Sequence, residues 1–326
     1  MTARPLASVS IDLDNLWAYR KTHGDPEWRR YPSFLPSAVP RLLEVLGEQR
    51  LTTTVFVVGA DVVREDGAKA VSEITAAGHE VGNHSFGHEP WLHRYPRARL
   101  EDELRRTDDA IVEAGAPLPL GFRGPGFSLS RDLVEVLAGR GYAYDASTLP
   151  TWIGPFARAY HNRTAPPHDG GDDGDGRDEL FGGFSRVLAP VHAYRWRTAT
   201  GTGLVELPVT TMPLVRTPIH GSYLLRLHEI SPRLARGYFK TALRLCLARK
   251  VAPSLLLHPT DVLGGAEAPG MEFFPGMATP SGRKVAWLGW VLRALREHFD
   301  VVGTGEYVHR TDPRRERAVT CLDAGR

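Results

Sequence analysis

The segment TTTVFVVGADVVREDGAKAVSEITAAGHEVGNH, residues 52–84, has two apolar runs on either side of a helical pattern. Residues 52–59 are rich in threonine and valine, which favour a strand. Residues 61–78 have helical spacing, with Asp61 in the N-cap position and Gly78 at the end. Because a second short strand follows directly, the segment predicts a strand–helix–strand unit and an α/β fold.

The same alternation continues on both sides of this unit. By residue 147, strand and helix have alternated about five times, which predicts a parallel sheet with crossover helices, open or closed into a barrel. The further predicted strands are residues 6–14, 120–124, 142–147, 203–210 and 252–259, and residues 300–308 are expected to close the fold. The further predicted helices are residues 36–50, 98–115, 130–141, 231–250 and 280–299.

Residues 148–203 differ in composition from the rest of the chain. They include PPHDGGDDGDGRDE, residues 166–179, whose glycine, proline and aspartate content cannot bury a core. We therefore expect a loop-rich insertion within a single domain spanning residues 1–310. The basic segment 311–326 is expected to be a disordered tail.

Composition excludes several classes of partner. The 40 basic and 38 acidic residues give a net charge of +2, too small to indicate nucleic acid or an anionic membrane. Two cysteines make a disulfide framework improbable, and no segment approaches the ~20 apolar residues that span a bilayer. With no run typical of a signal peptide, we expect a cytoplasmic protein. The sequence does not indicate an oligomeric state.

Polar residues gather at the ends of the predicted strands. In folds of alternating strand and helix, the carboxyl ends of parallel strands form the edge where active sites are built. The residues in question are Asp12, Asp14, His84, Arg123, Asp145 and His258.

Two histidines and an aspartate from this edge form a donor set for a metal ion. His84 and His88 lie four residues apart, and catalytic zinc sites use three such ligands with a position left open. Asp12 and Asp14 share one face of their strand and would repel each other without a cation or an arginine nearby. Each signal alone also fits surface histidines or solvated turn aspartates.

The remaining three residues suggest acid–base chemistry. Arg123 can hold one of the clustered carboxylates ionised, and His258 emerges from an apolar strand at the same edge. Asp145 as its partner would raise the pKa of His258 and keep it protonated as a general acid. A surface arginine, a turn cap and a boundary histidine are the alternatives.

Taken in order, the five motifs resemble those of the polysaccharide deacetylases, the NodB-homology group known as carbohydrate esterase family four. The likeness extends from about residue 6 to about residue 305. The motifs are D-x-D at 12–14, N-H-S-x-x-H at 83–88, F-R-x-P-G-F-S at 122–128, Y-D-x-S at 144–147 and L-L-H-P at 256–259.

This resemblance implies a distorted (β/α) barrel with a divalent metal ion, usually zinc. It assigns the metal ligands to Asp14, His84 and His88. It assigns the catalytic roles to Asp12 as general base, Arg123 orienting that base, His258 as general acid and Asp145 tuning His258. One departure is the spaced pair Asp12 and Asp14, where commoner members have two adjacent aspartates followed by glycine. The spaced form resembles a subset with cytoplasmic, lipid-linked-sugar and small-amide hydrolases, and it leaves the role of Asp12 open.

The resulting expectation is a metal-dependent N-deacetylase, a hydrolase of C–N bonds other than peptide bonds. Metal-activated water would remove an acyl group, such as acetyl, from a nucleotide-linked, lipid-linked or small glycoside. Alternatives are a deformylase, an allantoinase-like hydrolase or an inactive carbohydrate-binding relative. His220 and Tyr223 form either a wall of the substrate cleft or a polar turn.

Overall fold

The computed structural model describes residues 4–152, 189–199, 201, 203–311 and 313–325. The predicted loop at 166–179 lies outside the described residues and stays a prediction. None of the described helices combines the length and the apolar character needed to cross a lipid bilayer.

The described strands form one sheet that is mostly parallel. They pair in the order β10-β6-β7-β5-β4-β3-β2-β1-β8, with β9 also paired to β1, and only the β6–β7 pairing is antiparallel among them. Their bounds are β1 Leu6–Asp12, β2 Thr54–Val57, β3 Glu80–Asn83, β4 Gly121–Phe122, β5 Tyr144–Asp145, β6 Tyr194–Arg197, β7 Gly203–Glu206, β8 Ser254–Leu257, β9 Asp300–Val302 and β10 Glu316–Ala318.

Helices connect the parallel strands and cover the sheet. This arrangement confirms the predicted α/β class with a mostly parallel sheet, and the pairings described leave the sheet open between β8 and β10. The helices are α1 Leu16–His23, α2 Leu35–Glu48, α3 Gly59–Val62, α4 Glu65–Ala76, α5 Arg97–Glu113, α6 Arg131–Gly139, α7 Gly221–Ile230, α8 Pro232–Arg249, α9 Ser281–His298 and α10 Thr304–Arg310.

The register of the sheet aligns the carboxyl ends of its central strands. Asp12 at the end of β1 pairs with Phe56 of β2, and Asn83 at the end of β3 pairs with Phe122 of β4. Phe122 in turn pairs with Asp145 of β5. The polar residues that follow these strands therefore start from one edge of the sheet, as the sequence predicted.

Buried apolar side chains fix the central strands between layers of helix. Val9, Ile11, Val55 and Leu255 are each at most 2% exposed and belong to one cluster with residues of α2, α4, α8 and α9. A second cluster joins α5 and α6 to β6 and to Val319. The polar residues between the apolar ones of β1, Ser8 and Ser10, are 0% exposed as well, so the strand is buried on both faces.

Three local predictions differ from the structure. The helix expected at 61–78 is divided into α3 and α4, and Asp61 lies inside α3 rather than capping a helix. Gly67 lies so close to the Asp61 carbonyl that a Cβ there would collide with it, which allows α4 to begin directly against α3. The helices α1 and α7 lie where no helix was predicted.

The loop-rich insertion and the tail also contain strands. β6 lies within the segment expected to be loop, where Tyr194 and Trp196 are buried. β10 lies within the tail expected to be disordered, and it pairs in parallel with β6. The tail is ordered there because Val319, which is 4% exposed, packs into the second apolar cluster.

Two glycines provide a test of the packing. A Cβ on Gly121 would collide with the buried ring of Tyr144, whose hydroxyl donates to Glu80 at 3.0 Å, so the ring cannot withdraw. We expect Gly121→Ala to lower the free energy of unfolding by about 1–3 kcal/mol, as overpacking does. Gly47 in α2 has open space around its Cα, and Gly47→Ala should raise stability by about 0.5–1 kcal/mol. Urea unfolding of both variants measures this, and equal stabilities would contradict it.

Candidate active site

Asp14, His84 and His88 meet just beyond the ends of β1 and β3. Asp14 Oδ1 lies 3.2 Å from His84 Nε2 and 3.0 Å from His88 Nε2. One candidate ligand atom from each of the three residues lies within 4.8 Å of the others, and both histidines are buried. The structure therefore brings together the three residues that the sequence predicted as metal ligands.

The tautomer of His84 is fixed by its backbone partner. His84 Nδ1 lies 2.6 Å from the carbonyl oxygen of Arg123. Because a carbonyl only accepts, Nδ1 carries the proton, and Nε2 of the neutral ring presents a lone pair to Asp14. Two acceptors at this distance require a positive charge between them, which either a proton or a metal ion can supply. Metal-ligating histidines commonly donate their other N–H to a carbonyl in this way.

The electrostatics of the three groups agree with a site for positive charge. Burial alone would raise the pKa of Asp14, but the neighbouring His88 and His84 hold that pKa well below its usual value. Burial alone would lower the pKa of His84, but Asp12 and Asp14 raise it. A metal ion bound here would take the place of the proton that otherwise lies between His84 Nε2 and Asp14.

The turn between the two histidines is fixed by its own hydrogen bonds. Ser85 and His88 both adopt positive φ, at 61° and 49°. Asn83 Oδ1 accepts from the Ser85 N–H at 2.8 Å, and Ser85 Oγ accepts from the His88 N–H at 3.2 Å. Glu103 of α5 accepts from two further backbone N–H groups of the turn. The His-x-x-x-His spacing works because this turn curls both rings back to Asp14.

Asp61 is a buried carboxyl near this turn whose local role the sequence did not predict. Its Oδ1 accepts from Asn15 Nδ2 at 2.8 Å and from Trp17 Nε1 at 2.7 Å, and the Trp17 ring meets His88 edge-on. Burial raises the pKa of Asp61 to about 6. The polar residue directly after the D-x-D motif, Asn15, was the available signal for this contact.

Arg123 links the second carboxylate to the histidine pair. Its guanidinium is fully buried, donates to Asp12 Oδ1 at 3.0 Å and lies 4.7 Å from the centre of the Phe56 ring. Its carbonyl accepts from His84. One residue at the end of β4 thus orients both Asp12 and a candidate ligand.

Asp145 and Glu206 form a buried pair of carboxyls at the ends of β5 and β7. Asp145 Oδ1 accepts from Ser147 Oγ at 2.5 Å, and Glu206 accepts from Thr148 N–H and Trp196 Nε1, each at 2.9 Å. Burial raises the pKa of Asp145, and burial together with Asp145 raises the pKa of Glu206 well above its usual value. The contacts of Asp145 thus lead to Ser147 and Glu206, not to His258.

Asp261 is the carboxylate beside His258. Its Oδ2 accepts from the His258 backbone N–H at 2.9 Å, and its Oδ1 accepts from Ser222 Oγ at 3.1 Å. The ammonium of the buried Lys284 donates to the carbonyls of Thr260 and Leu263 at 2.8 and 2.6 Å, which holds the turn after β8. Asp261 lies two residues after the L-L-H-P motif, so the sequence could have indicated it as a candidate.

Tyr19 of α1 also lies at the site, although no motif marks it. Burial raises the pKa of Tyr19 well above its usual value, and the charges of Asp14, Asp261 and Asp12 raise it further. Its ring packs edge-on against Phe274. The hydroxyl therefore remains protonated beside the carboxylates.

Residues 25–144 match the family model for polysaccharide deacetylase. The chain is 33% identical over 135 residues to a chitooligosaccharide deacetylase of Bradyrhizobium sp. (strain ANU 289), covering 39% of this chain and 60% of that protein. It is 29% identical over 118 residues to a peptidoglycan deacetylase of Helicobacter pylori, covering 36% and 39%. The aligned parts therefore span less than two thirds of either relative.

A solved structure of similar fold comes from Mycobacterium smegmatis and is provisionally assigned to the polysaccharide deacetylases. It covers 96% of this chain and 93% of its own, with a TM-score of 0.56 and 18% identity, so the likeness is one of fold. Together with the family model, it confirms the resemblance predicted from the five motifs. The matched residues 25–144 include His84, His88 and Arg123, while Asp12, Asp14, Asp145 and His258 lie outside them.

The Asp145–Glu206 pair predicts a pH dependence of stability. Because both pKa values are raised, the folded protein keeps a proton that the unfolded chain releases above about pH 4. This stabilisation is complete below that pH and is lost as the pH rises through the folded-state values, by up to about 1.4 kcal/mol per unit.

We expect Asp145→Asn to flatten this decline, because an amide can still accept from Ser147 and can donate to an ionised Glu206. Urea unfolding between pH 5 and pH 8 measures it, with the exposed Asp109→Asn as the matched control. Equal slopes for Asp145→Asn and the unmodified protein would show that the pair does not share a proton.

Proposed function

We propose that this chain, whose residues 25–144 match the family model for polysaccharide deacetylase, is a metal-dependent hydrolase that removes an N-acyl group from an amino sugar. The observation that carries the proposal is the convergence of Asp14, His84 and His88 beside an aspartate held by a buried arginine. In that arrangement a cation site and a proton acceptor would lie next to each other. It is the combination needed to attack an amide with water.

Asp14, His84 and His88 would hold the metal ion. Two imidazoles and one carboxylate suit zinc, and the His84 tautomer directs its lone pair toward Asp14 as a ligand should. A divalent ion bound there supplies Lewis acidity toward water and toward the acyl oxygen. We propose zinc as the resident ion for this donor set.

Asp12 would accept the proton of the attacking water. The salt bridge with Arg123 at 3.0 Å orients Asp12 and leaves its second oxygen outside that contact. The D-x-D spacing directs Asp12 and Asp14 to the same face, so the base and the ligand set meet the same substrate atoms.

His258 would protonate the leaving nitrogen, because an amine leaves poorly as an anion. Asp261 lies beside it and accepts from the His258 backbone N–H at 2.9 Å. Since the contacts of Asp145 lead to Glu206 and to the charge of Arg123, we assign Asp145 to supporting Arg123 rather than to His258.

The substrate class follows from the relatives. The names of the matched proteins refer to chitooligosaccharide and peptidoglycan, both built from N-acetylated amino sugars. We propose an N-acetylated sugar as substrate, carried as a nucleotide-linked, lipid-linked or small glycoside, and a cytoplasmic location stays a prediction of the sequence.

Metal binding can be tested separately from turnover. We expect the purified protein to retain about one zinc ion per chain after dialysis, measured by inductively coupled plasma mass spectrometry. His84→Ala should lose that ion because one of three ligands is removed, and the exposed His309→Ala should keep it. Equal metal content in both variants would show that the protein binds zinc at another site or does not bind it.

The role of Asp12 predicts a different pattern. Asp12→Asn should retain the metal but lower kcat for acetate release from N-acetylglucosamine oligosaccharides by about 10²–10⁴-fold, since the proton acceptor is lost. Acetate release and metal content measured on the same sample separate the two effects. Metal binding without turnover of any acylated amine would favour a carbohydrate-binding relative, and turnover confined to a formamide or a ring amide would favour the other hydrolases.

A further inference from the structure

His220 lies directly before α7, and the start of that helix is held against the end of β8. Gly221 packs so closely against Asp261 that a Cβ there would collide with the carboxylate. Ser222 donates to Asp261 Oδ1, and the His258 N–H donates to Asp261 Oδ2. One carboxylate therefore joins the start of α7 to the end of β8, and His258 is near enough to act electrostatically on His220.

Neither imidazole uses all of its hydrogen-bonding capacity within the described part of the chain. The Nδ1 atoms of His220 and His258 are both buried and have no protein partner there. His220 also does not cap its own helix, because its side chain makes no hydrogen bond to the first turn of α7. A buried nitrogen left unpaired costs stability, so such atoms are commonly completed by a ligand.

The surroundings of His220 determine its charge state. Burial, together with the nearby His258, lowers the pKa of His220 to about 3, so His220 is neutral at any ordinary pH. A neutral imidazole has one donor and one acceptor, which suits a hydroxyl group. Tyr223, in the first turn of α7, has its ring centre 6.2 Å from that of His220.

We infer that His220 is a substrate-binding residue that hydrogen-bonds a ring hydroxyl of the amino sugar, on the side of the leaving nitrogen. This inference rests on the proposed function, in which His258 protonates that nitrogen. Because the leaving nitrogen belongs to the sugar, His220 near His258 would face the sugar and not the acyl chain. Recognition of a hydroxyl by a buried polar atom discriminates strongly against analogues that lack it.

The test compares His220→Leu with His220→Asn, which keeps a polar atom near the position of Nδ1. With N,N′,N″-triacetylchitotriose (chitotriose below) as substrate, we expect His220→Leu to raise KM by about tenfold with kcat within about twofold, because a contact made equally in ground and transition states is lost. His220→Asn should recover most of the loss. Arg226→Leu, exposed on the same helix, is the matched control and should leave both constants unchanged.

Monodeoxy analogues of chitotriose identify the contact. For at least one of them, the His220→Leu penalty should shrink to less than about twofold, because the hydroxyl it served is already absent. An unchanged KM in His220→Leu, or the same penalty for chitotriose and every analogue, would overturn the role of His220 alone. A wild-type protein that binds zinc but releases no acetate from chitotriose would instead overturn the proposed function and this inference together.

Discussion

The contact between Arg123 and its two neighbours is the constraint on which the site depends. A guanidinium buried to 0% exposure needs an anionic partner, and Asp12 at 3.0 Å provides it. The carbonyl of the same residue accepts from His84 Nδ1, which fixes the ring that faces Asp14. Because β4 lies between β3 and β5 in the sheet, one strand end holds the proposed base and one proposed ligand in a fixed relation. A change in Arg123 would therefore disturb both at once.

The sequence predicted the features that depend on neighbouring residues in the chain and on the direction of the strands. The ends of parallel strands fall at one edge, so Asp14 and the two histidines after β3 were expected together, and the structure places them there. The partner of His258 was not predictable in the same way. In the pairing order, four strands separate β5, which carries Asp145, from β8, and a sequence does not reveal that order. Asp261, two residues beyond the motif, is the carboxylate that local geometry brings to His258.

Buried polar groups account for most of what sequence reasoning missed. Asp61 had the pattern of a helix cap, yet it accepts from Asn15 and Trp17, because the tight approach of Gly67 moves the start of α4 beyond it. Glu206 ends an apolar strand, and its sequence context does not distinguish a buried carboxyl from a solvated one. β6 and β10 were missed for a related reason: their charged residues suggest loop or tail, and only the packing of Trp196 and Val319 shows otherwise.

The position of β10 determines which strand lies at one edge of the described sheet. It is three residues long, lies at one end of the described strand order and carries Glu316 and Arg317. A short, charged edge strand offers few unpaired backbone N–H and C=O groups to a strand of another molecule. Removal of the residues from 316 onward would uncover the side of β6, with Tyr194 and Trp196 in it. The segment from residue 316 onward thus covers an edge of the sheet to which another strand could otherwise pair.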